Sequence, residues 1–209
     1  MTDQIQFYGD SISGNCYKLQ LVCSELGIDY IWHEMDILAG DTRTDKFLAL
    51  NPNGKVPLMV LPDGRCLPES NAILSYLANA SDLAGTDRYA KANVLQWLFF
   101  EQYSHEPCIA TSRFIVKYLG SPPDRQADLD AKRQGGYKAL AVMELQLQSQ
   151  QHIANDEFSI ADIALYAYTH VADEGGFDLG KYPCVRMWLQ RIEDRPGFVP
   201  MRAPSNRHE

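Results

Sequence analysis

The chain has 209 residues, of which 45% are hydrophobic and 22% charged, and its formal net charge is -8. This length and balance are those of a globular protein with one large domain or two small ones, each with a hydrophobic core. The acidic balance and the lack of a basic run argue against nucleic acid or an anionic membrane surface as a partner. We expect no signal peptide, because residues 1–10 are acidic, and no membrane span, because no apolar run approaches about 20 residues.

The five cysteines are widely spaced along the chain. They form no CxxC pair, and no histidine cluster accompanies them at metal-ligand spacing, so the sequence predicts no metal site. An odd, dispersed set is typical of buried free thiols in a reducing compartment, which indicates a cytoplasmic protein. The cysteines are Cys16, Cys23, Cys66, Cys108 and Cys184.

Residues 1–80 alternate between strand and helix patterns. A strand pattern in QIQFYG precedes apolar residues at helical spacing from Asn15 to Leu26, and Gly27 predicts the end of that helix. A second strand in DYIWHEMD and a short helix in KFLAL follow. The runs VPLMVL and RCLPES flank PDG, which indicates a β-hairpin, and a helix begins near Ser70. The order β-α-β-α-β-β-α predicts a small sheet covered by helices.

Beyond a predicted linker at residues 81–87, helix patterns dominate the chain. The first covers residues 89–119 and contains Pro107, which should kink the helix or divide it. Another covers residues 125–150. The motif SIAD predicts a capping box at the start of a third helix, and YPCVRMWLQRIEDRPGF predicts an amphipathic helix near the C-terminus.

Small polar side chains lie where the first strand ends and the first helix begins, at Ser11, Ser13 and Asn15. Such residues serve as caps and turn formers, or they offer hydrogen bonds to a ligand. Glu69 and Ser70 present the same choice at the start of the third helix. A cap and an acid suit the helix dipole there, but a helix N-terminus also binds a carboxylate ligand. The residues alone leave both interpretations open.

Four motifs follow one another through nearly the whole chain, and each is weak alone: SGNCYK, NPNGKVPLMVLPDG, PESNAILSYLA and FSIADIALYAY. Their joint order and spacing resemble those of the cytosolic glutathione transferases. The resemblance implies an α/β thioredoxin-like, glutathione-binding domain at 1–80, a linker at 81–87 and an all-α helical domain with the electrophile pocket at 88–209. It further implies a cytoplasmic homodimer that activates the glutathione thiolate for attack on a small, largely apolar electrophile, as in detoxification. Glutathione is then a co-substrate, and no metal or other cofactor is required.

The same resemblance assigns residues that bind glutathione. Val56–Pro57 precedes a strand, where the pattern alone favours an ordinary trans proline. The family instead implies a cis bond, with the Val56 backbone paired to the cysteinyl part of glutathione. Glu69 and Ser70 correspond to the residues that hold the γ-glutamyl end, where an ammonium and a carboxylate lie side by side. Lys55 is then near the central part or the glycyl carboxylate.

Activation of the thiol requires a group that favours the anion. A free thiol has a pKa of ~8.5, and lowering it by about two units requires roughly 2.7 kcal/mol. A hydroxyl that donates to sulfur near a helix N-terminus can supply this preference. In serine-type members this hydroxyl commonly lies three residues before a helix cysteine or its equivalent, which selects Ser13 with Cys16. Ser11 is the main rival, and Asn15 matches the asparagine of Thr-x-Asn relatives. Tyr8 lies near the tyrosine of tyrosine-type members, but serine-type members also carry an aromatic residue there.

Cys16 offers a different chemistry. A thiol in the first turn of a helix can have a depressed pKa, as in the cysteine-type transferases and glutaredoxin-like relatives. Cys16 shares a helical face with apolar residues, however, which favours a buried small hydrophobe.

The co-substrate should contact the helical domain near the irregularity at Pro107. Candidate pocket residues there are Tyr103, His105, Arg113 and Phe114. Aromatic residues at helical spacing more often belong to a core, and a lone histidine is more often solvated or capping than catalytic. The identity of the co-substrate does not follow from the sequence.

Two other functions fit the same sequence. The first is a glutathione-dependent disulfide oxidoreductase on the same fold, which Asn15 and the Thr-x-Asn-like loop favour and which would turn over disulfides. The second is a non-catalytic transferase-like module used for binding or assembly. Ser13 and Glu69–Ser70 argue against that module, because a scaffold does not need groups that contact a ligand.

Overall fold

The computed structural model describes residues 4–201, and the chain forms two compact units. Unit 1 comprises Met1–Asn79 with Pro196–Glu209, and unit 2 comprises Ala80–Arg195. The described residues after Arg195, 196–201, thus group with unit 1, whereas the sequence predicts them in the helical domain. One bond that holds them there is donated by the Tyr17 hydroxyl to the Val199 carbonyl oxygen at 2.6 Å. Residues 1–3 and 202–209, on which part of the terminal expectations rest, lie outside the described residues.

Within its described residues, unit 1 consists of a mixed sheet and three α-helices. The strands are β1 Ile5–Gly9, β2 Tyr30–Glu34, β3 Leu58–Val60 and β4 Cys66–Pro68, and the helices are α1 Gly14–Leu26, α2 Asp45–Leu50 and α3 Ser70–Ala78. The strand order is β2-β1-β3-β4, with β1 parallel to β2 and β3 antiparallel to both β1 and β4. The predicted order of elements and the thioredoxin-like fold are confirmed.

Helix α1 has apolar residues at helical spacing, and it packs against α3. Cys16, Leu19 and Val22 are fully buried within it. The helix ends at Gly27, whose φ of 63° lies in the left-handed region that glycine adopts without strain. This glycine places the chain in the direction needed to begin β2.

The strand register brings the ends of several strands together at one edge of the sheet. Gly9 at the end of β1 pairs with Glu34 at the end of β2. Tyr8 pairs with Leu58 at the start of β3, and Leu58 also pairs with Pro68 at the end of β4. Because β3 runs antiparallel to both neighbours, the loops after β1 and β4 and the turn before β3 emerge side by side.

Unit 2 is built from helices α4 Arg88–Phe100, α5 Glu106–Arg113, α6 Gln126–Leu147, α7 Ile160–Thr169 and α8 Pro183–Glu193. The predicted irregularity near Pro107 is present, but the helical run is not interrupted there. The helical run continues to Tyr118, with π-helical segments at Glu101–His105 and Phe114–Tyr118 on either side of α5. Pro107 lies in the first turn of α5, where its missing N–H is tolerated. Among the described residues, no helix combines the length and apolar character needed to cross a membrane.

Helix α7 begins with the predicted capping box. The Ser159 hydroxyl accepts from the Ala161 N–H at 3.2 Å, and Asp162 Oδ2 accepts from the Ser159 N–H at 3.0 Å. The buried Asp162 also accepts from the Trp188 indole N–H at 2.8 Å and from the Ile153 N–H at 2.9 Å. One carboxylate thus joins the start of α7 to α8 and to the preceding loop.

We expect Asp162→Ala to lower the free energy of unfolding by about 3 kcal/mol, because several buried donors lose their acceptor. Ser159→Ala, which removes one cap, should lower it by about 1 kcal/mol. Urea denaturation measures both values. Asp130→Ala, at an exposed position on α6, is the control and should change the stability by less than about 0.5 kcal/mol. An Asp162→Ala variant as stable as this control would contradict the role given to the carboxylate.

Candidate functional site

The candidate site is the sheet edge where the loop after β1, the turn before β3 and the start of α3 lie side by side. The loop carries Ser11 and Ser13, and the turn carries Val56–Pro57, whose peptide bond is cis, as the resemblance implies. A direct bond joins the starts of α1 and α3, because the Ser70 hydroxyl donates to Asn15 Oδ1 at 3.1 Å. The fold thus unites predicted residues that are 55 positions apart in the chain.

Two carboxylates hold the loop after β1. Asp10 Oδ1 accepts from the amide two residues later at 3.1 Å, and Glu34 Oε1 accepts from the Ser11 N–H at 2.9 Å. Glu34 is oriented in turn by the Trp32 indole N–H, 2.7 Å from its second oxygen. Ser11 is buried by this arrangement, whereas Ser13 remains half-buried at the start of α1. Of the two rival serines, Ser13 is therefore the more accessible to a ligand.

Ser13 occupies the N-cap position of α1, yet its side chain accepts no capping hydrogen bond. It lies instead within hydrogen-bonding reach of the Cys16 sulfur. Cys16 is fully buried, and this burial raises the pKa of its thiol to about 12. The negative charges of Asp10 and Glu34 also raise that pKa, and hydrogen bonding with the Ser13 side chain lowers it. The thiol thus stays protonated at neutral pH, in agreement with the interpretation of Cys16 as a small buried hydrophobe.

The Glu69–Ser70 pair lies at the N-terminus of α3. Ser70 is buried, whereas Glu69 is exposed and adopts a φ of 73° and a ψ of 112°. A positive φ is rare for a residue with a Cβ and costs on the order of 1 kcal/mol or more, so it persists only where the surroundings impose it. Such strain is typical of residues held for a function, and here it sets the direction in which the acid leaves the backbone.

The turn before β3 offers backbone groups to a ligand, and its one charged side chain is exposed. Lys55 is exposed, Val56 half-buried and Pro57 buried. The Lys55 carbonyl oxygen accepts from Asn51 Nδ2 at 2.8 Å, which anchors the turn from within the NPNG motif. Within residues 4–201, no group of three or more His, Cys, Asp or Glu side chains is arranged to hold a metal ion.

Sequence reasoning missed two members of this cluster, Lys18 and Asn71. Lys18 is fully buried, and its Nζ lies 3.2 Å from Ser70 Oγ and 3.1 Å from Asn71 Oδ1. The sequence offered one signal, because Lys18 is the only charged residue in the stretch CYKLQLVC of the predicted helix. A lysine in such a stretch requires an explanation if it is buried.

Known proteins are similar to this chain in sequence and in fold. The family model for the glutathione S-transferase N-terminal domain matches residues 12–80, and the model for the C-terminal domain matches residues 97–196. A glutathione S-transferase of solved structure from Pseudomonas fluorescens Pf-5 is 54% identical, with a TM-score of 0.92 over 94% of this chain and 98% of that chain. The chain belongs to the glutathione S-transferase family.

Two curated relatives show the breadth of this family. Glutathione S-transferase 3 of Zea mays is 30% identical over 204 residues, which cover 93% of this chain and 91% of the relative. The disulfide-bond oxidoreductase YfcG of Escherichia coli strain K12 is 28% identical over 189 residues, covering 87% of each chain. The family predicted from four short motifs is confirmed, whereas the chemistry named for its members differs.

Unit 2 does not gather the four predicted co-substrate residues on one surface. His105 is buried, and its Nε2 lies 2.9 Å from Thr169 Oγ1. Because the Thr169 hydroxyl donates to a carbonyl of its own helix, His105 is the donor in this pair. Arg113 is also buried, with its Nε 2.5 Å from a Glu174 carboxylate oxygen.

These two residues lie in the interior of unit 2 and not at its surface, and one polar atom of each has a partner within the unit. Tyr103 is 88% exposed, and Phe114 is half-buried with its ring stacked against Tyr118 at 5.2 Å. Periodicity did not separate these outcomes, because all four residues lie on one continuous helical run and differ only in what packs against them.

We expect Cys16 to resist alkylation by iodoacetamide in the native protein, because its thiol is buried and its pKa is about 12. Raising the pH from 7 to 9 should not change this, since the thiolate fraction stays below about 1% that far under the pKa. Mass-spectrometric peptide mapping measures the labelling at each cysteine. The denatured chain is the control and should be labelled at all five positions. Fast labelling of Cys16 in the native protein at pH 7 would instead support Cys16 as a reactive thiol, as in the cysteine-type transferases.

Proposed function

We propose that this protein is a cytoplasmic glutathione transferase in which unit 1 binds glutathione and Ser13 stabilises its thiolate. The observation that carries the proposal is the single sheet edge that holds Ser13, the cis Val56–Pro57 bond and the Glu69–Ser70 helix start. Glutathione is a short extended peptide with charges at both ends and a thiol between them. Its binding site therefore needs a donor for the thiol, backbone groups for the peptide and polar groups for the charged γ-glutamyl end, arranged along one edge.

The two ends of glutathione fit opposite parts of this edge. The γ-glutamyl carboxylate fits the N-terminus of α3, where backbone N–H groups and the Ser70 hydroxyl favour an anion. The adjacent ammonium fits the Glu69 carboxylate, whose direction is set by its positive φ. The Val56 backbone is available for the cysteinyl part, and the exposed Lys55 suits the central part or the glycyl carboxylate.

Ser13 is the group we assign to the thiol. Its hydroxyl is not used as a cap, it is half-buried at the N-terminus of α1, and its neighbour Cys16 remains a neutral thiol. A neutral thiol can donate its S–H to the serine oxygen, which leaves the serine proton for the sulfur of glutathione. That hydrogen bond and the helix dipole both favour the thiolate. Ser11 helps to hold the loop through its backbone N–H, which donates to Glu34. Asn15 accepts from Ser70 and lies between Ser70 and the proposed position of the thiol.

The thiolate then attacks an electrophilic carbon or sulfur of a small, largely apolar co-substrate. The glutathione sulfur forms the new bond, and the leaving group or the co-substrate takes up the electron pair. In this proposal the reaction requires no metal or other cofactor, and detoxification is the role it serves. Tyr103 and Phe114 remain candidate contacts of the co-substrate.

We also propose a homodimer, which an exposed apolar surface on unit 2 supports. A groove between α4 and α6 is lined in part by Val142 and Leu145, and α4 and its continuation expose further large apolar side chains. Patches of this kind usually mark an interface, and a self-complementary patch gives a two-fold dimer. The exposed residues are Leu95, Phe99, Tyr103, Val142 and Leu145.

A second function, glutathione-dependent disulfide reduction, is supported by the similarity to the Escherichia coli oxidoreductase. The same thiolate would attack one sulfur of a disulfide, and a second glutathione would then resolve the mixed disulfide. The products are two thiols and glutathione disulfide. The two functions share the glutathione site and differ in the electrophile.

The binding of glutathione, followed by calorimetry and by the ultraviolet absorbance of the bound thiolate, tests the site. We expect Ser13→Ala to bind glutathione but to lose the thiolate signal at pH 7, with turnover falling by up to about 100-fold for a two-unit rise in pKa. Glu69→Ala should weaken binding by about tenfold, because the ammonium loses its partner. Ser24→Ala, farther along α1, is the matched control and should leave both signals unchanged.

The outcomes separate the candidate functions. Loss of the thiolate signal in Ser11→Ala instead of Ser13→Ala would keep the site and reassign the hydroxyl. Turnover of a small disulfide but not of carbon electrophiles would favour the oxidoreductase. A wild-type protein that does not bind glutathione would favour the non-catalytic module and reject both enzymes.

If the exposed apolar surface is the dimer interface, a charge placed in it should weaken the dimer. Phe99→Glu and Leu145→Glu, at side chains that are 70% and 69% exposed, should each raise the dimer dissociation constant by about 100-fold. Analytical ultracentrifugation measures this constant. Met187→Glu is the control, since Met187 is also exposed but lies on α8. Dimers of unchanged strength in both variants would place the interface elsewhere.

A further inference from the structure

Lys18 is a charged residue in the interior of unit 1. It lies in the middle of α1 with a relative exposure of 0%. Lysine is almost never fully buried unless its ammonium is held by other groups, because desolvating the charge is costly. The chemistry proposed above for Ser13, Val56 and Glu69 makes no use of this cation.

The ammonium of Lys18 faces the start of α3. Its Nζ donates to Ser70 Oγ at 3.2 Å and to Asn71 Oδ1 at 3.1 Å, and these acceptors are the first two residues of that helix. An ammonium has donors only, so the Ser70 oxygen must accept from it and must direct its own proton elsewhere. That proton goes to Asn15 Oδ1, 3.1 Å away. The bonds thus run in one direction, from Lys18 through Ser70 to Asn15.

We propose that Lys18 is a positioning and specificity-determining residue, which makes the N-terminus of α3 selective for a thiol that carries a γ-glutamyl carboxylate. This inference rests on the proposed function, since it concerns the same glutathione site. Lys18 does not contact the ligand. It acts through Ser70, whose oxygen accepts from the ammonium, so that the Ser70 hydroxyl keeps its proton available as a donor.

The electrostatics favour this role. The partial positive charge of a helix N-terminus already attracts an anion. A buried ammonium behind the first turn adds a full charge, and its field is weakly screened because the side chain is removed from water. When a carboxylate enters, the Ser70 proton turns from Asn15 to the ligand, and Lys18 continues to hold the Ser70 oxygen. Asn15, at the thiol end of the site, therefore changes its bonding when the carboxylate binds.

The test is a cycle of two ligands and two proteins. The ligands are glutathione and 4-aminobutyryl-cysteinyl-glycine, which lacks only the γ-glutamyl carboxylate. The proteins are the wild type and Lys18→Gln, which keeps a donor but removes the charge. We expect the wild type to prefer glutathione, and we expect the variant to lose about tenfold in affinity for glutathione and almost nothing for the analogue. Calorimetry measures the four dissociation constants.

A merely structural role would give a different pattern, in which both ligands lose affinity by the same factor. That result would overturn the proposal. The kinetic expectation is a KM for glutathione raised by about tenfold with kcat at saturation within about twofold. Lys18→Arg, which retains the charge, should restore part of the preference. Lys46→Met, at an exposed lysine of α2 in the same unit, is the control and should behave as the wild type.

A second variant keeps the test valid if Lys18→Gln does not fold. Asn71→Asp is isosteric, lies in the first turn of α3 where an acid suits the helix dipole, and places a negative charge against the ammonium. Its preference for glutathione over the analogue should fall by about tenfold. An undiminished preference would overturn the proposal. Failure of the wild type to bind either ligand would instead reject the proposed function.

Discussion

The antiparallel pairing of β3 with both β1 and β4 is the constraint on which the rest of unit 1 depends. Leu58 is paired on both sides, with Tyr8 and with Pro68, so the start of β3 cannot shift without moving both neighbours. This pairing places the cis Pro57 beside the end of β1 and beside the start of α3. A slip of one residue would turn the alternate side chains of the strand to the opposite face and would separate the loop of Ser13 from the helix start of Ser70.

Burial then divides the roles of chemically similar groups. Cys16 and Ser13 lie one helical turn apart, yet the thiol is enclosed and keeps its proton, while the hydroxyl is half-buried at the open end of α1. Ser11 has the same chemistry as Ser13, but it is buried, and its backbone N–H donates to Glu34. The nucleophile in our proposal is accordingly brought by the ligand, and the protein contributes a donor and a field in place of a reactive side chain.

Unit 2 shows how buried polar groups order a helical unit. Asp162 collects donors from its own helix start, from Trp188 and from the preceding loop, and His105 and Arg113 bond to partners within the unit. Each of these groups would be costly to bury alone, so each partner fixes a particular helix arrangement. The π-helical segment Glu101–His105 directly precedes the turn that contains Pro107, and a second one follows α5; each alters the direction of the side chains that follow it.

The order of elements, the helix ends and the capping box followed from the sequence because they depend on neighbours a few residues apart. Gly27 ends α1 through its own φ, and the serine and aspartate of SIAD bond within one turn. The family was recognisable for the same reason, since its motifs are short. The tertiary structure alone decided that Lys18 is buried against Ser70 and that His105 and Arg113 face the interior. Those outcomes depend on the free energy of removing each side chain from water, which is set by residues distant in the chain and has no local pattern.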